Sequence, residues 1–216
     1  MTVAVKICGL NTPESVRAVA RANADYAGFN FFARSPRFVT PAKAAALAAD
    51  LPASVRRVAL VVDADDGALG AIVAALRPGL VQLHGAETPE RSREIASKFD
   101  TPVMKVLGVS AKSDLARADA YAGAVERIMF DAKPPKRPDA LPGGNAVSFD
   151  WTILSEASLA LPWMLAGGLT PSNVAEAIRI SGARAVDVAS GVETAPGVKS
   201  PELIREFVES VRKSGV

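Results

Sequence analysis

The chain holds one cysteine, in the run Lys6-Ile7-Cys8-Gly9-Leu10. If this run ends a strand, side chains alternate along it, so Lys6 and Cys8 share one face and Ile7 takes the other. An ammonium beside a thiol draws its pKa down from about 8.5 toward neutrality and makes thiolate available as a base or nucleophile. A lysine on an inward face is costly unless paired. The alternative is an inert buried Cys8 with Lys6 reaching outward to water. Asp131 follows Arg127-Ile128-Met129-Phe130. A carboxyl group at the end of a strand is a general acid/base candidate, or an ordinary loop-entry cap. Gln82-Leu83-His84-Gly85 places Gln82 and His84 on one face. His84 could titrate or bind a ligand, although a lone histidine is more often structural.

Two glycine-bearing turns stand near the C-terminus, Leu165-Ala166-Gly167-Gly168-Leu169 and Asp187-Val188-Ala189-Ser190-Gly191-Val192-Glu193. Glycines let backbone N–H groups converge on an anion, and a helix start adds its dipole. Ser35-Pro36-Arg37 offers a planar guanidinium suited to a carboxylate, or an ordinary surface arginine. There is no Gly-x-Gly-x-x-Gly or Walker-type run to hold a dinucleotide or triphosphate.

The elements that must position these groups alternate along the chain. Short β-branched runs at Val3–Ile7, Tyr26–Phe31, Arg57–Val62, Leu80–Leu83, Val103–Val106, Arg127–Phe130, Trp163–Leu165 and Ala185–Val188 read as strands. Helix starts fall between them. Thr12-Pro13, Thr40-Pro41, Thr88-Pro89, Thr170-Pro171 and Ser200-Pro201 each set a hydroxyl N-cap before a first-turn proline. Thr101-Pro102 precedes an apolar run and reads as a strand entry. Eight strand–helix units predict an α/β fold, a (β/α)8 barrel forming a single domain over residues 1–216, with an open doubly wound sheet as the alternative. In a barrel, Cys8, Asp131 and both glycine turns lie at the C-terminal face, where active sites are built. The stretch from Asp131 to Asn145, rich in proline and glycine, reads as a long loop on that face.

Composition narrows the function. The 216 residues are 49% hydrophobic and 22% charged, the balance of a folded chain. Twenty-five Lys and Arg against 23 Asp and Glu give no reason to expect nucleic acid or a membrane as partner. One Cys precludes a disulfide framework within the chain, and one His precludes an all-histidine metal site. No apolar stretch approaches the ~18 residues a membrane helix needs, and the N-terminus lacks the form of a signal peptide. The expectation is a cytoplasmic protein with no metal and no cofactor. The helix faces leave monomer and homodimer both open.

With these segments in view, the sequence resembles the phosphoribosylanthranilate isomerase family over nearly its whole length. The matching runs are KICGL at 6–10, GFNFFARSPRFVTP at 28–41, VQLHG at 81–85, FDAK at 130–133, GGNAVSFDW at 143–151, LAGGL at 165–169 and DVASGVE at 187–193. The resemblance implies a phosphorylated small-molecule substrate and an Amadori rearrangement in tryptophan biosynthesis. It makes Cys8 the general base and Asp131 the general acid. Arg37 would hold the anthranilate carboxylate, and His84 and Asp187 would be pocket residues. Gly167, Gly168, Ser190 and Gly191 would form the phosphate-binding turns. Ala189 departs from the family pattern, which has a small hydroxyl residue there.

The implied reaction asks that Asp131 hold a proton and that Cys8 be partly ionised, with Lys6 lowering the thiol pKa. Two rivals share the glycine turns: another phosphosugar isomerase or epimerase barrel, and a non-catalytic barrel that binds a phosphorylated metabolite. The non-catalytic barrel would not need Cys8 and Asp131, and an epimerase of the metal-using kind needs more than one histidine.

Overall fold

Strands rich in Val, Ile, Leu and Ala bury both faces, which requires helices outside and a packed interior within. The computed structural model describes residues 2–133, 143–144, 147–155, 157 and 159–214. Its eight main strands are β1 (Ala4–Cys8), β2 (Tyr26–Asn30), β3 (Arg56–Val61), β4 (Leu80–Leu83), β5 (Val103–Val109), β6 (Arg127–Ala132), β7 (Trp163–Leu165) and β8 (Ala185–Val188). All run parallel in sequence order, and β1 returns to β8 with Lys6 opposite Asp187, so the sheet closes into a barrel. The open-sheet alternative is thereby excluded.

Two boundaries differ from the sequence reading in ways that matter. β1 runs through Cys8, so the thiol is held by strand pairing opposite Gly28. β6 runs through Ala132, so Asp131 is a strand residue opposite Gly108 and not the first residue of a loop. The cause is β5, which extends to Val109 and carries the β6 ladder with it. The irregular segment therefore begins two residues later than expected. Pro134–Pro142 and Asn145 lie outside the described residues.

Hydroxyl caps start α1 (Pro13–Arg21), α2 (Pro41–Ala48), α4 (Pro89–Lys98) and α7 (Pro201–Lys213), where Thr12, Thr40, Thr88 and Ser200 accept from the N3 amide. The segment α3 (Asp66–Leu76) is capped by Asp65. A 3-10 helix over Lys112–Tyr121 follows β5, and the four-residue α5 (Thr152–Ser155) precedes β7. The expected start at Thr170-Pro171 is displaced. Residues 170–173 form a turn, and α6 (Val174–Ser181) starts after Asn173. The Asn173 side chain accepts from the Thr170 amide and donates to the Gly168 carbonyl, so it serves the glycine turn and not a helix cap.

Val58, Leu80, Met104, Met129, Met164 and Ala185 fill the barrel interior. The opposite strand faces, with Ile7, Phe29 and Leu107, pack against the helices. After β8 a short 3-10 turn over Ser190–Val192 leads into a hairpin absent from the sequence reading, β9 (Glu193–Ala195) and β10 (Val198–Lys199).

Candidate active site

Alternation along β1 points Lys6 and Cys8 into the barrel, as their spacing predicts. Lys6 is fully buried and donates to Asp187 Oδ1 at 2.6 Å, which pairs the inward lysine. Burial opposes its charge, but Asp187 and Cys8 outweigh that, and Lys6 is held above the ordinary lysine pKa. Gly28 makes room for both groups: a Cβ there would lie 3.0 Å from Cys8 Sγ and 3.2 Å from Lys6 Nζ.

The expected depression of the Cys8 pKa is not what this environment produces. Burial pushes the thiol up, and Asp187 adds to the rise; Lys6 and Lys199 pull it down without prevailing. Burial is the largest influence, and Asp187, 2.6 Å from Lys6, opposes the lysine's pull on the thiol. Burial thus favours the thiol form of Cys8 over the thiolate.

Asp131 projects into the same pocket from β6, three strands away around the barrel. Its Oδ1 accepts from the Ala132 amide at 2.8 Å. Its Oδ2 lies 3.5 Å from His84 Nε2. His84 Nδ1 is in turn 3.5 Å from Gln82 Nε2. A Cβ on Gly143 would meet both the His84 ring and Asp131 Oδ2, so the chain passes this pair with no room for a side chain.

Two adjoining cavities share Asp131, Gly143, Gly144, Asp187 and Ala189. One is bordered by Gly167, Gly168 and Ser190. Gly167 and Gly168 have φ of +92° and +63°, a left-handed conformation open to glycine. Among the described residues their amides donate to no other backbone carbonyl. A Cβ on Gly191 would collide with the Leu169 carbonyl, so the two late turns pack directly on each other. The other cavity is lined by Phe32, Leu60 and Val62, with Arg37 and Cys8. One end thus suits an anion held by backbone amides, and the other suits a flat apolar group bearing a carboxylate. Cys8, Asp131 and Asp187 stand between them.

Arg37 is buried, and its Nε and Nη2 donate to the two oxygens of Glu193, each at 2.8 Å. Ser35 Oγ accepts from the Arg37 amide and from Asn30 Nδ2, which fixes the loop that carries it. All the expected site residues gather at this mouth except Gly191, which lies just behind it. Sequence reading missed Glu193, Lys199, Asn173 and Asn30. Glu193 sits two residues beyond Gly191 in a recognised run, which was a usable signal. Lys199 had none.

The family model for N-(5'-phosphoribosyl)anthranilate (PRA) isomerase matches residues 5–210. The chain belongs to the PRA isomerase family. It is 53% identical over 212 residues to the N-(5'-phosphoribosyl)anthranilate isomerase of Paramagnetospirillum magneticum, covering 98% of each chain. It is 51% identical over 215 residues to that of Parvibaculum lavamentivorans, covering 99% of this chain and all of the relative. Among solved structures, the PRA isomerase of Thermotoga maritima matches at a TM-score of 0.87 with 33% identity, over 97% of this chain and 98% of that one. A PRA isomerase bound to reduced 1-(o-carboxyphenylamino)-1-deoxyribulose 5-phosphate matches at a TM-score of 0.84, again with 33% identity and the same coverage. Family membership and the closed barrel settle the fold class and favour the isomerase over its rivals.

Proposed function

We propose that this chain converts N-(5-phosphoribosyl)anthranilate to 1-(2-carboxyphenylamino)-1-deoxyribulose 5-phosphate by general acid/base catalysis, as a cytoplasmic enzyme of tryptophan biosynthesis. The observation that carries the reading is the order of groups along the mouth. Glycine turns lie at one end and Arg37 with apolar walls at the other, and a thiol and a carboxyl group stand between.

In this reading the turns at Gly167-Gly168 and Ser190-Gly191 take the phosphate, and Arg37 takes the anthranilate carboxylate beside Phe32. Holding both ends fixes the ribose between Cys8 and Asp131 and removes orientational freedom. Asp131 gives a proton to the ring oxygen. The C1–O bond then breaks, the nitrogen lone pair forms C1=N, and an open-chain iminium results. Cys8 as thiolate removes the proton on C2, the C–H electron pair forms C1=C2 as the C1=N pair returns to nitrogen, and the resulting enolamine becomes the ketone as C1 gains a proton and the C2 hydroxyl loses one. Each positioned transfer supplies roughly 100- to 10,000-fold in rate.

A thiol form favoured by burial is compatible with this sequence. Thiolate with carboxylic acid has the same proton count as thiol with carboxylate, so one proton moved from sulfur to oxygen creates the reactive pair. The iminium cation formed on ring opening then favours the neighbouring thiolate. His84, beside Asp131 Oδ2, and Asp187, which holds Lys6 near the sulfur, are the supporting groups.

The test is the fluorescence loss of phosphoribosylanthranilate on adding purified protein, with and without alkylation of its sole thiol. Rapid loss that alkylation abolishes supports the reading. Binding without turnover would favour the non-catalytic barrel.

A further inference from the structure

The Arg37–Glu193 pair poses a problem of charge. A guanidinium bound to a carboxylate through two hydrogen bonds is a neutral unit and a poor receptor for a second carboxylate. The hairpin that supplies Glu193 also supplies a third charge. Lys199 stands opposite Glu193 in the β9–β10 register, its side chain is fully buried, and its Nζ donates to Glu193 Oε1 at 2.6 Å. The same ammonium donates to the Ala189 carbonyl at 2.8 Å, beside the glycine turn after β8. Burial lowers the Lys199 pKa; Glu193 opposes that fall, and the Arg37 charge adds to it.

The hairpin is anchored where Arg37 is presented. Asn11 donates to the Gly197 carbonyl at 2.9 Å, and a Cβ on Gly197 would lie 2.6 Å from the Pro36 carbonyl. On the other side of the guanidinium, a Cβ on Gly144 would lie 2.6 Å from Nη1, so this edge passes close against the Gly144 backbone at the pocket mouth.

We propose that Lys199 is a positioning residue for carboxylate recognition: protonated behind Glu193, it sets the Arg37–Glu193–Lys199 cluster at a net charge of +1. The pocket end bounded by Phe32 and Arg37 is then cationic toward an aromatic carboxylate, while Glu193 fixes the guanidinium plane. The proposal rests on the reading of Arg37 given above. Its claim is that the arginine needs a buried lysine behind its carboxylate partner.

Steady-state kinetics on two substrates test it, phosphoribosylanthranilate and the phosphoribosyl derivative of aniline, which lacks the carboxylate. Lys199→Met should raise KM for the first substrate about tenfold, the scale of one unit charge lost at close range. It should leave kcat within about threefold and KM for the aniline compound unchanged. Glu193→Gln/Lys199→Met, which restores the net charge, should bring the anthranilate KM back toward wild type. Lys199→Gln keeps a donor for Ala189 and serves if Lys199→Met does not fold. An unchanged anthranilate KM, an equal rise on both substrates, or no recovery in the double variant overturns the proposal. Arg37→Ala separates the two claims. If it keeps the preference for the carboxylate, the reading of Arg37 fails and this proposal with it. If it loses the preference while Lys199→Met keeps it, only the proposal fails.

Discussion

Lys6 and Asp187 face each other across the β1–β8 seam, Nζ to Oδ1 at 2.6 Å, directly beneath the Cys8 sulfur. Opposite charges on neighbouring strands thus act on one thiol from below with opposite effect: Lys6 favours the thiolate, and Asp187 and burial disfavour it.

The first prediction concerns that balance. Thiolate is the form that reacts with alkylating agents. The Cys8 pKa lies above the ordinary thiol value, so the alkylation rate should climb with pH and level off only above that value. Lys6→Met removes a group that lowers the pKa and should move the midpoint higher. Asp187→Asn removes one that raises it and should move the midpoint lower. Cys8 is the only cysteine, so the rate reports this site alone. A wild-type midpoint below the ordinary value would show that Lys6 dominates after all.

A second prediction concerns substrate binding. Arg37→Ala should raise KM for phosphoribosylanthranilate with a smaller effect on kcat, because the carboxylate contact persists from ground state to transition state. It also leaves Glu193 buried with Lys199 as its remaining side-chain partner, so a modest fall in melting temperature should accompany the change. An unaltered KM removes Arg37 from the carboxylate role.

The phosphate turns give a third. Gly167 has φ of +92°, and a Cβ there would lie 2.7 Å from the Ala132 amide nitrogen. Gly167→Ala must shift the chain on which the turn depends. Inhibition by inorganic phosphate should weaken by at least about tenfold, while Gly123→Ala, at another left-handed glycine (φ +71°) that lines neither cavity, should leave it unchanged. Equal inhibition of the Gly167 variant and wild type would place the phosphate elsewhere.

Much of this arrangement was legible in the sequence because strand ends and helix caps are local signals. The eight strands, the inward pairing of Lys6 with Cys8 and four of the five hydroxyl–proline starts needed no long-range information. Thr170-Pro171 carried the same signal, but Asn173 diverted the chain by binding the backbone of the glycine turn. The position of Asp131 inside β6 depends on the length of β5, which the sequence of β6 does not contain. The direction of the Cys8 pKa was misread because burial, which the local run does not reveal, outweighs Lys6, and Asp187, 179 positions along the chain, adds to the rise. Lys199 was invisible for a similar reason: its meaning comes from a hairpin register and from Arg37 in another loop.

A fourth prediction separates stability from chemistry. Lys105 on β5 is buried and donates to Glu87 Oε2 at 2.6 Å and to the Gly85 carbonyl at 2.7 Å. Glu87 also accepts from the amides of Asp63 and Gly85, which ties down the turn after His84. Lys105→Met strands the Glu87 charge and should cost about 3–5 kcal/mol in denaturant unfolding. A loss below about 1 kcal/mol would mean that water or a shifted side chain rescues the carboxylate.

The central claim is that Cys8 and Asp131 exchange protons with one sugar, and turnover of Cys8→Ala and Asp131→Asn at saturating phosphoribosylanthranilate tests it most directly. Both variants should fold, bind the reduced product analogue, and lose roughly 100- to 10,000-fold in kcat. Turnover within a few-fold of wild type in either folded variant would contradict the assignment.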